Sequence, residues 1–201
     1  MSVDSVSSPV RHAAILAGGK SVRMGREKAL VEFEGQPLIA RVAAVLAPLF
    51  AEICVVTASD EVAEAAGFPA IFDQHPDRGP LGGIHAALAH FRSPTFIVAC
   101  DMPFLCPALI GHMSLNFGGD ALVPKGESGP EPLHGIYSPV LIERFRILLE
   151  SEAKTPSLRR VLGLIDTRIL AFEAVRSFDP TLRCFANWNT PEDIEGAQTG
   201  A

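Results

Sequence analysis

Cysteine is scarce in this chain: Cys54, Cys100, Cys106 and Cys184 are the whole complement in 201 residues, and no two form a CxxC pair. Cys54 and Cys100 lie inside apolar runs, so they read as small buried hydrophobes rather than metal ligands, and reduced thiols fit a cytoplasmic protein. An excess of basic charge is also lacking. The net charge of −6 argues against a nonspecific nucleic-acid binder, while a few local Lys and Arg residues still suffice for a polyanionic small substrate. No apolar run reaches the length of a membrane span. Met1 to Pro9 is Ser-rich and has no apolar centre, so residues 1–10 read as a flexible tail rather than a signal peptide. The six histidines show no HExxH spacing, and no Ser-His-Asp or Cys-His set can be assigned, which leaves covalent catalysis unsupported.

What is present is a composition of 48% apolar and 20% charged residues, typical of a soluble globular protein, in a chain long enough to bury a full core. Short apolar runs alternate with helical patterns from residue 13 to about residue 115. Strands are predicted at His12–Ala17, Ile53–Thr57, Ala70–Phe72 and Thr95–Cys100, and helices at Pro37–Phe50, Asp60–Ala66 (with Asp60 as N-cap), Leu81–Phe91 and Pro107–Leu115. The second half is less regular. Strands are predicted at Ala121–Val123, Leu133–Tyr137 and Ile169–Phe172, helices at Pro139–Leu149 and Pro156–Leu164, and a last helix from Pro191. This order implies an α/β fold, Rossmann-like and doubly wound, with a mostly parallel sheet covered by helices on both faces. The expected organisation is one domain over 11–201, with a first part at about 11–115 and a second at about 116–201. In such sheets ligands bind beyond the carboxyl ends of the strands.

Two stretches at such ends carry chemistry. After the first strand, Leu16-Ala-Gly-Gly-Lys-Ser-Val-Arg-Met-Gly-Arg-Glu-Lys28 combines a sharp glycine turn with Arg23 and Lys28. Consecutive backbone N–H groups and nearby cations suit phosphate, whereas the spacing matches neither GK[ST] nor GxGxxG. A solvated surface turn is the plain alternative, and the basic residues placed directly after a strand favour phosphate. After the apolar strand, Asp101 stands in Cys-Asp-Met-Pro. It suits Mg²⁺, which binds through one or two carboxylates plus substrate phosphates, or it caps the following turn. Between them, Gly79-Pro-Leu-Gly-Gly83 reads as a turn and the start of a helix with exposed N–H groups.

These strings resemble the signature LAGGxSxRMGxDK of the molybdenum cofactor guanylyltransferases of the MobA type, within the NTP-transferase superfamily. Glu27 replaces the usual Asp and keeps its charge. The resemblance implies a fold like that of the nucleotide-diphospho-sugar transferases. It implies that Leu16, Ala17, Gly18 and Gly19 wrap the nucleotide, that Arg23 and Lys28 hold its phosphates, and that Asp101 is the Mg²⁺ ligand. Gly79, Pro80, Leu81 and Gly82 match the family's GPLxGI segment, where the related cytidylyltransferases carry a serine-rich stretch, and Asp73 matches a nucleotide-binding position. A carboxylate at Asp73 can accept from guanine N1–H and the 2-amino group. Pro132, Leu133 and Tyr137 match a PLxxxY strand on the acceptor side, and Asn187 and Asn189 match the family's NxNTPED ending. Trp188, where the family has Val or Ile, reads as core. Arg159 and Arg160 read as solvated helix surface rather than as phosphate ligands.

The implied reaction is an in-line attack of the molybdopterin phosphate on the α-phosphorus of GTP, with Lys28, Arg23 and Asp101 as the catalytic set. The partners are GTP, molybdopterin (with or without molybdenum) and possible cofactor-biosynthesis proteins or molybdoenzyme chaperones. No nucleic acid or membrane is expected, and the chain is expected to be a monomer or weak oligomer. Two alternatives stay open: the same chemistry with CTP or another phosphorylated acceptor, and a nucleotide-binding regulatory protein without catalysis.

Overall fold

The computed structural model describes residues 9–18, 27–151 and 154–188. The tail to residue 8, Gly19 to Arg26 and the predicted helix from Pro191 lie outside them. The apolar runs of the first half become strands β1 (His12–Leu16), β4 (Glu52–Val56), β5 (Ala70–Ile71) and β6 (Thr95–Ala99). Between β1 and β4 comes a small hairpin, β2 (Glu32–Phe33) and β3 (Gln36–Pro37). The second half adds β7 (Ala121–Gly126), β8 (Gly129–Pro130), β9 (His134–Tyr137) and β10 (Thr167–Leu170) to the same main sheet. Its order is β10-β7-β9-β6-β1-β4-β5, with β8 paired to β7. Four of the six neighbour pairings along that path are parallel, which makes the sheet mostly parallel as expected. The exceptions both involve β9, an antiparallel strand between β6 and β7.

Among the described residues, seven α-helices cover the sheet: α1 (Leu38–Leu46), α2 (Asp60–Ala66), α3 (Pro80–Phe91), α4 (Pro107–Leu115), α5 (Ile142–Glu150), α6 (Leu158–Leu162) and α7 (Phe172–Phe178). Because strand side chains alternate, Ala13, Ile15, Phe96 and Val98 point to one face and Ala14, Leu16 and Ile97 to the other. The first face is filled by Ile39, Val42 and Leu46 of α1, Val62 of α2, Leu109 and Met113 of α4 and Val175 of α7. The second takes Leu81, Ile84 and Leu88 of α3, Phe145 and Leu149 of α5 and Val161 of α6. Burying each such side chain contributes about 1.5–3 kcal/mol, so both faces are committed to helices. No helix among the described residues is long and apolar enough to cross a membrane.

Several boundaries differ from the sequence reading for local reasons. Helix α1 stops at Leu46 rather than Phe50 because Pro48 has no N–H to give to the carbonyl four residues back. The N-cap of α2 is Ser59, whose Oγ accepts from Val62 N at 3.4 Å, while Asp60 lies in the first turn. The helix predicted from Pro139 begins as a 3-10 turn (Pro139–Leu141) and becomes α-helical only from Ile142. Phe172 belongs to α7, not to a strand; the sequence reading passed over this seven-residue helix, and the hairpin as well. The hairpin turns at Glu34 and Gly35, both at positive φ (49° and 74°), as a two-residue hairpin loop requires.

Candidate active site

Strand β1 is the switch point of the sheet: β6 flanks it on one side and β4 on the other, both parallel to it. The chain therefore leaves β1 and β6 at the same edge. Leu16 is in register with Ala99, and Cys100 N donates to Leu16 O at 3.1 Å, so the glycine turn and Asp101 emerge side by side. Ala17 N donates to Val56 O at 3.0 Å, and Gly18 is exposed just beyond. Gly19 and Arg23 lie outside the described residues. Lys28 opens the 3-10 turn Lys28–Leu30, and its Nζ donates to Asp101 Oδ2 at 2.5 Å. The side chains are 21% and 18% exposed, a shielded pair at the rim. The other oxygen, Asp101 Oδ1, is buried without a hydrogen-bond partner.

The carboxyl end of the chain is held to the same point. Trp188 N donates to Asp101 O at 3.0 Å. The Trp188 ring is 4% exposed and packs edge-on to Phe33 at 4.1 Å and to Phe104 at 5.4 Å, a core residue as expected. Anchored this way, Asn187 comes to line a cleft of about 540 Å³ together with Asp101. Asn189 lies outside the described residues.

The Gly79-Pro-Leu-Gly-Gly segment forms the opposite shoulder. Gly79 sits at φ 70°, ψ −164°, a region open essentially to glycine alone, and Pro80 takes the first position of α3. A Cβ on Gly82 would lie 2.5 and 2.7 Å from the Asp73 carboxylate oxygens and 2.8 Å from the His75 carbonyl. One on Gly83 would lie 3.2 Å from the Leu16 side chain. The two glycines thus let α3 press against both the loop and β1. Asp73 Oδ1 accepts from His75 N at 2.7 Å, an Asx turn that braces the loop from within. Gly79, Pro80 and Leu81 line the cleft; Gly82 is buried beneath the loop, and the Leu16 side chain is buried against α3.

Of the residues expected on the acceptor side, Pro132 and Leu133 line the cleft. Tyr137, expected beside them, does not: it is 1% exposed. Strand alternation turns its ring into the core under α3 and α5, and its hydroxyl donates to Pro132 O at 2.7 Å, holding the wall from behind. Burial pushes its phenol well above the usual range. Arg159, read as solvated helix surface, is exposed on α6 and also lines the cleft, giving Nη1 to Ser128 O at 2.9 Å. Arg78, Glu131, Thr155 and Ser157 also line it and were not singled out from sequence. The clearest missed signal is Ser157 before Leu-Arg-Arg, an N-cap whose Oγ accepts from Arg160 N at 3.4 Å and so sets where α6 starts.

The thiols take no visible part. All four cysteines are free, and burial pushes Cys54 and Cys100 up to about 12, so they stay protonated at neutral pH. No cluster of three or more His, Cys, Asp or Glu side chains occurs among the described residues. Among the described residues, Asp101, with Oδ1 buried and unpartnered, is the carboxylate at this rim that could hold a hard cation.

Comparison with known proteins agrees with this geometry. Residues 13–168 match the model of the MobA-like NTP transferase domain. The chain is 38% identical over 190 residues to a "probable molybdenum cofactor guanylyltransferase" of Pelotomaculum thermopropionicum, covering 93% of this chain and 91% of that protein. A molybdenum cofactor guanylyltransferase of Syntrophotalea carbinolica is 34% identical, with 91% and 88% covered. Among solved structures, the molybdopterin-guanine dinucleotide biosynthesis protein A of Archaeoglobus fulgidus superposes with a TM-score of 0.78 at 31% identity, covering 92% of this chain and 96% of that one. The more distant nucleotidyl transferase Mth528 of Methanothermobacter, at 19% identity and TM-score 0.66, shares the fold. With a switch point at β1, a shielded Lys28–Asp101 pair at its rim, and this similarity along nearly its whole length, the chain belongs to the MobA-like NTP transferase family.

Proposed function

We propose that this protein transfers the guanylyl group of GTP to the phosphate of molybdopterin, giving the guanine dinucleotide form of the molybdenum cofactor and pyrophosphate. The observation that carries the reading is the meeting of Lys28 and Asp101 at the β1–β6 edge of a cleft whose other walls, Pro132, Leu133 and Asn187, come from the second half of the chain. A site built from both halves suits a reaction that brings two substrates together. The names of the relatives supply the guanylyl group and the acceptor.

In this reading an acceptor phosphate oxygen bonds to the α-phosphorus while the bond from that phosphorus to the bridging oxygen of the β-phosphate breaks. The acceptor phosphate is ionised at neutral pH, so positioning and charge stabilisation supply the catalysis. Lys28 and the N–H groups after β1 hold the leaving pyrophosphate, with Arg23 as the further cation. The buried, unpartnered Asp101 Oδ1 fits a hard cation, and Asp101 would hold Mg²⁺, which neutralises charge on phosphate oxygens. Trp188, through its backbone bond to Asp101, keeps that carboxylate in place. Gly79, Pro80 and Leu81 form the base side, with Gly82 and Asp73 bracing the loop behind them. The test is incubation with molybdopterin, Mg²⁺ and either GTP or CTP, followed by detection of pyrophosphate and the dinucleotide. Product with GTP supports the reading; product with CTP alone transfers the proposal to cytidylyl transfer.

A further inference from the structure

The cleft has a second polar end that the phosphate chemistry does not use. Glu131 lines it beside Pro132 and near the Arg159 guanidinium, and Thr155 lines the same cleft. Its backbone is pinned, with Glu131 N donating to Pro124 O at 2.9 Å. Its side chain is pressed on the β7–β8 turn, so that a Cβ on Gly126 would lie 2.9 Å from Glu131 Oε1. The carboxyl group nevertheless makes no hydrogen bond to any described residue. Its surroundings disfavour its charge: desolvation raises its pKa, opposed in part by the Arg159 guanidinium. Thr155, which lines the same cleft, has its Oγ1 buried and unpartnered.

A carboxyl group in a cleft that must accept polyphosphate is an electrostatic liability, since it repels the anion it would have to bind. It is favourable toward a ligand part that offers N–H or O–H donors rather than toward the phosphates. A carboxylate presents two acceptor oxygens in one plane, a match for the paired N–H groups of an amino-pyrimidinone edge. A hydroxyl such as that of Thr155 can donate or accept, and so suits the adjoining ring carbonyl or nitrogen.

From this we propose that Glu131 and Thr155 form the recognition subsite for the acceptor's heterocycle, Glu131 accepting hydrogen bonds from an amino-pyrimidinone edge and Thr155 completing the contact. The inference rests on the acceptor being a phosphorylated pterin, as in the proposed function. It makes Glu131 a specificity residue for the acceptor and leaves the nucleotide to Lys28, Asp101 and the α3 shoulder.

The experiment uses the full chain with two fluorescent probes: pterin, which carries the 2-amino group, and lumazine, which has a carbonyl there. Each is titrated into wild type, Glu131→Gln, Glu131→Ala and Thr155→Val, and GTP binding with Mg²⁺ is measured in parallel as a check on fold and nucleotide site. The expected result is pterin binding to wild type that weakens at least tenfold in both Glu131 variants and severalfold in Thr155→Val, lumazine binding that is weak and unchanged throughout, and GTP affinity unchanged. Equal pterin affinity in wild type and the Glu131 variants, or no pterin binding by wild type, overturns the subsite. Loss of guanylyl transfer from GTP by wild type, with pterin binding still dependent on Glu131, overturns the proposed function and leaves the subsite standing. In turnover, Glu131→Gln raises KM for the acceptor while kcat and KM for GTP hold.

Discussion

His134 begins β9, one residue beyond the cleft wall at Leu133, and is fully buried with both ring nitrogens unpartnered. The rings of Phe96 and Phe185 stand edge-on to it, each at 5.3 Å. Burial lowers its pKa from 6.5 to about 3, so the folded protein holds the imidazole neutral. The sign follows from where the proton binds. Below pH 6.5 the unfolded chain takes up a proton that the folded chain refuses, so stability is fully present above that pH and is lost as the pH falls toward 3. At pH 5 unfolded-state protonation favours unfolding by a factor of about 30, or about 2 kcal/mol relative to pH 8. Replacing His134 by leucine, apolar and of similar volume, removes this loss along with two unsatisfied nitrogens. Urea unfolding of wild type and His134→Leu at intervals between pH 8 and pH 5 measures it. The variant gains on wild type by about 2 kcal/mol across that range, or roughly 4–8 °C in Tm for a chain of this size. Parallel stability curves for the two proteins would show that His134 is protonated as readily in the fold as outside it, and would refute the reasoning.

Three further outcomes follow from the site. Asp101→Asn and Lys28→Ala each lower Mg²⁺-dependent pyrophosphate release by roughly 10²–10³, with the circular dichroism of the fold retained; near-normal turnover in Asp101→Asn would remove that residue from the cation site. Gly82→Ala drives a methyl group into the Asp73 carboxylate and the His75 carbonyl, costs about 1–3 kcal/mol by overpacking and raises KM for the nucleotide. An unchanged melting temperature and KM would mean that the loop yields freely. Trp188→Ala empties the pocket between Phe33 and Phe104 and lowers stability by about 3 kcal/mol in a denaturant melt. Its backbone bond to Asp101 survives the substitution, so the loss should exceed any change in kcat.

Much of the first half of the chain was legible in the sequence because its signals are local. Helix α4 runs over the residues expected, Pro107–Leu115, since proline suits the first helical position and the single glycine within it, Gly111, is tolerated in a helix interior at a modest cost. The apolar runs of β1 and β6 each end at a polar or glycine-rich break, so Gly18 and Asp101 could be placed at strand ends before any pairing was known. That they share one edge followed from the rule for parallel sheets with crossover helices. Trp188 could be assigned to the core because an aromatic ring of that size needs shelter.

The tertiary structure alone decided the second half. A four-residue strand such as β9 has no signal for the direction in which it pairs, and only its insertion antiparallel between β6 and β7 shows which residues reach the cleft. That pairing sends Tyr137 inward and leaves Pro132 and Leu133 on the wall. Likewise, nothing local to Glu131, Thr155 or Arg159 brings them near Asp101, because their approach depends on how β7, β8 and α6 fold back across the sheet. Sequence periodicity reports which side of an element is apolar; the distance between side chains on separate elements is set by packing that involves the whole chain.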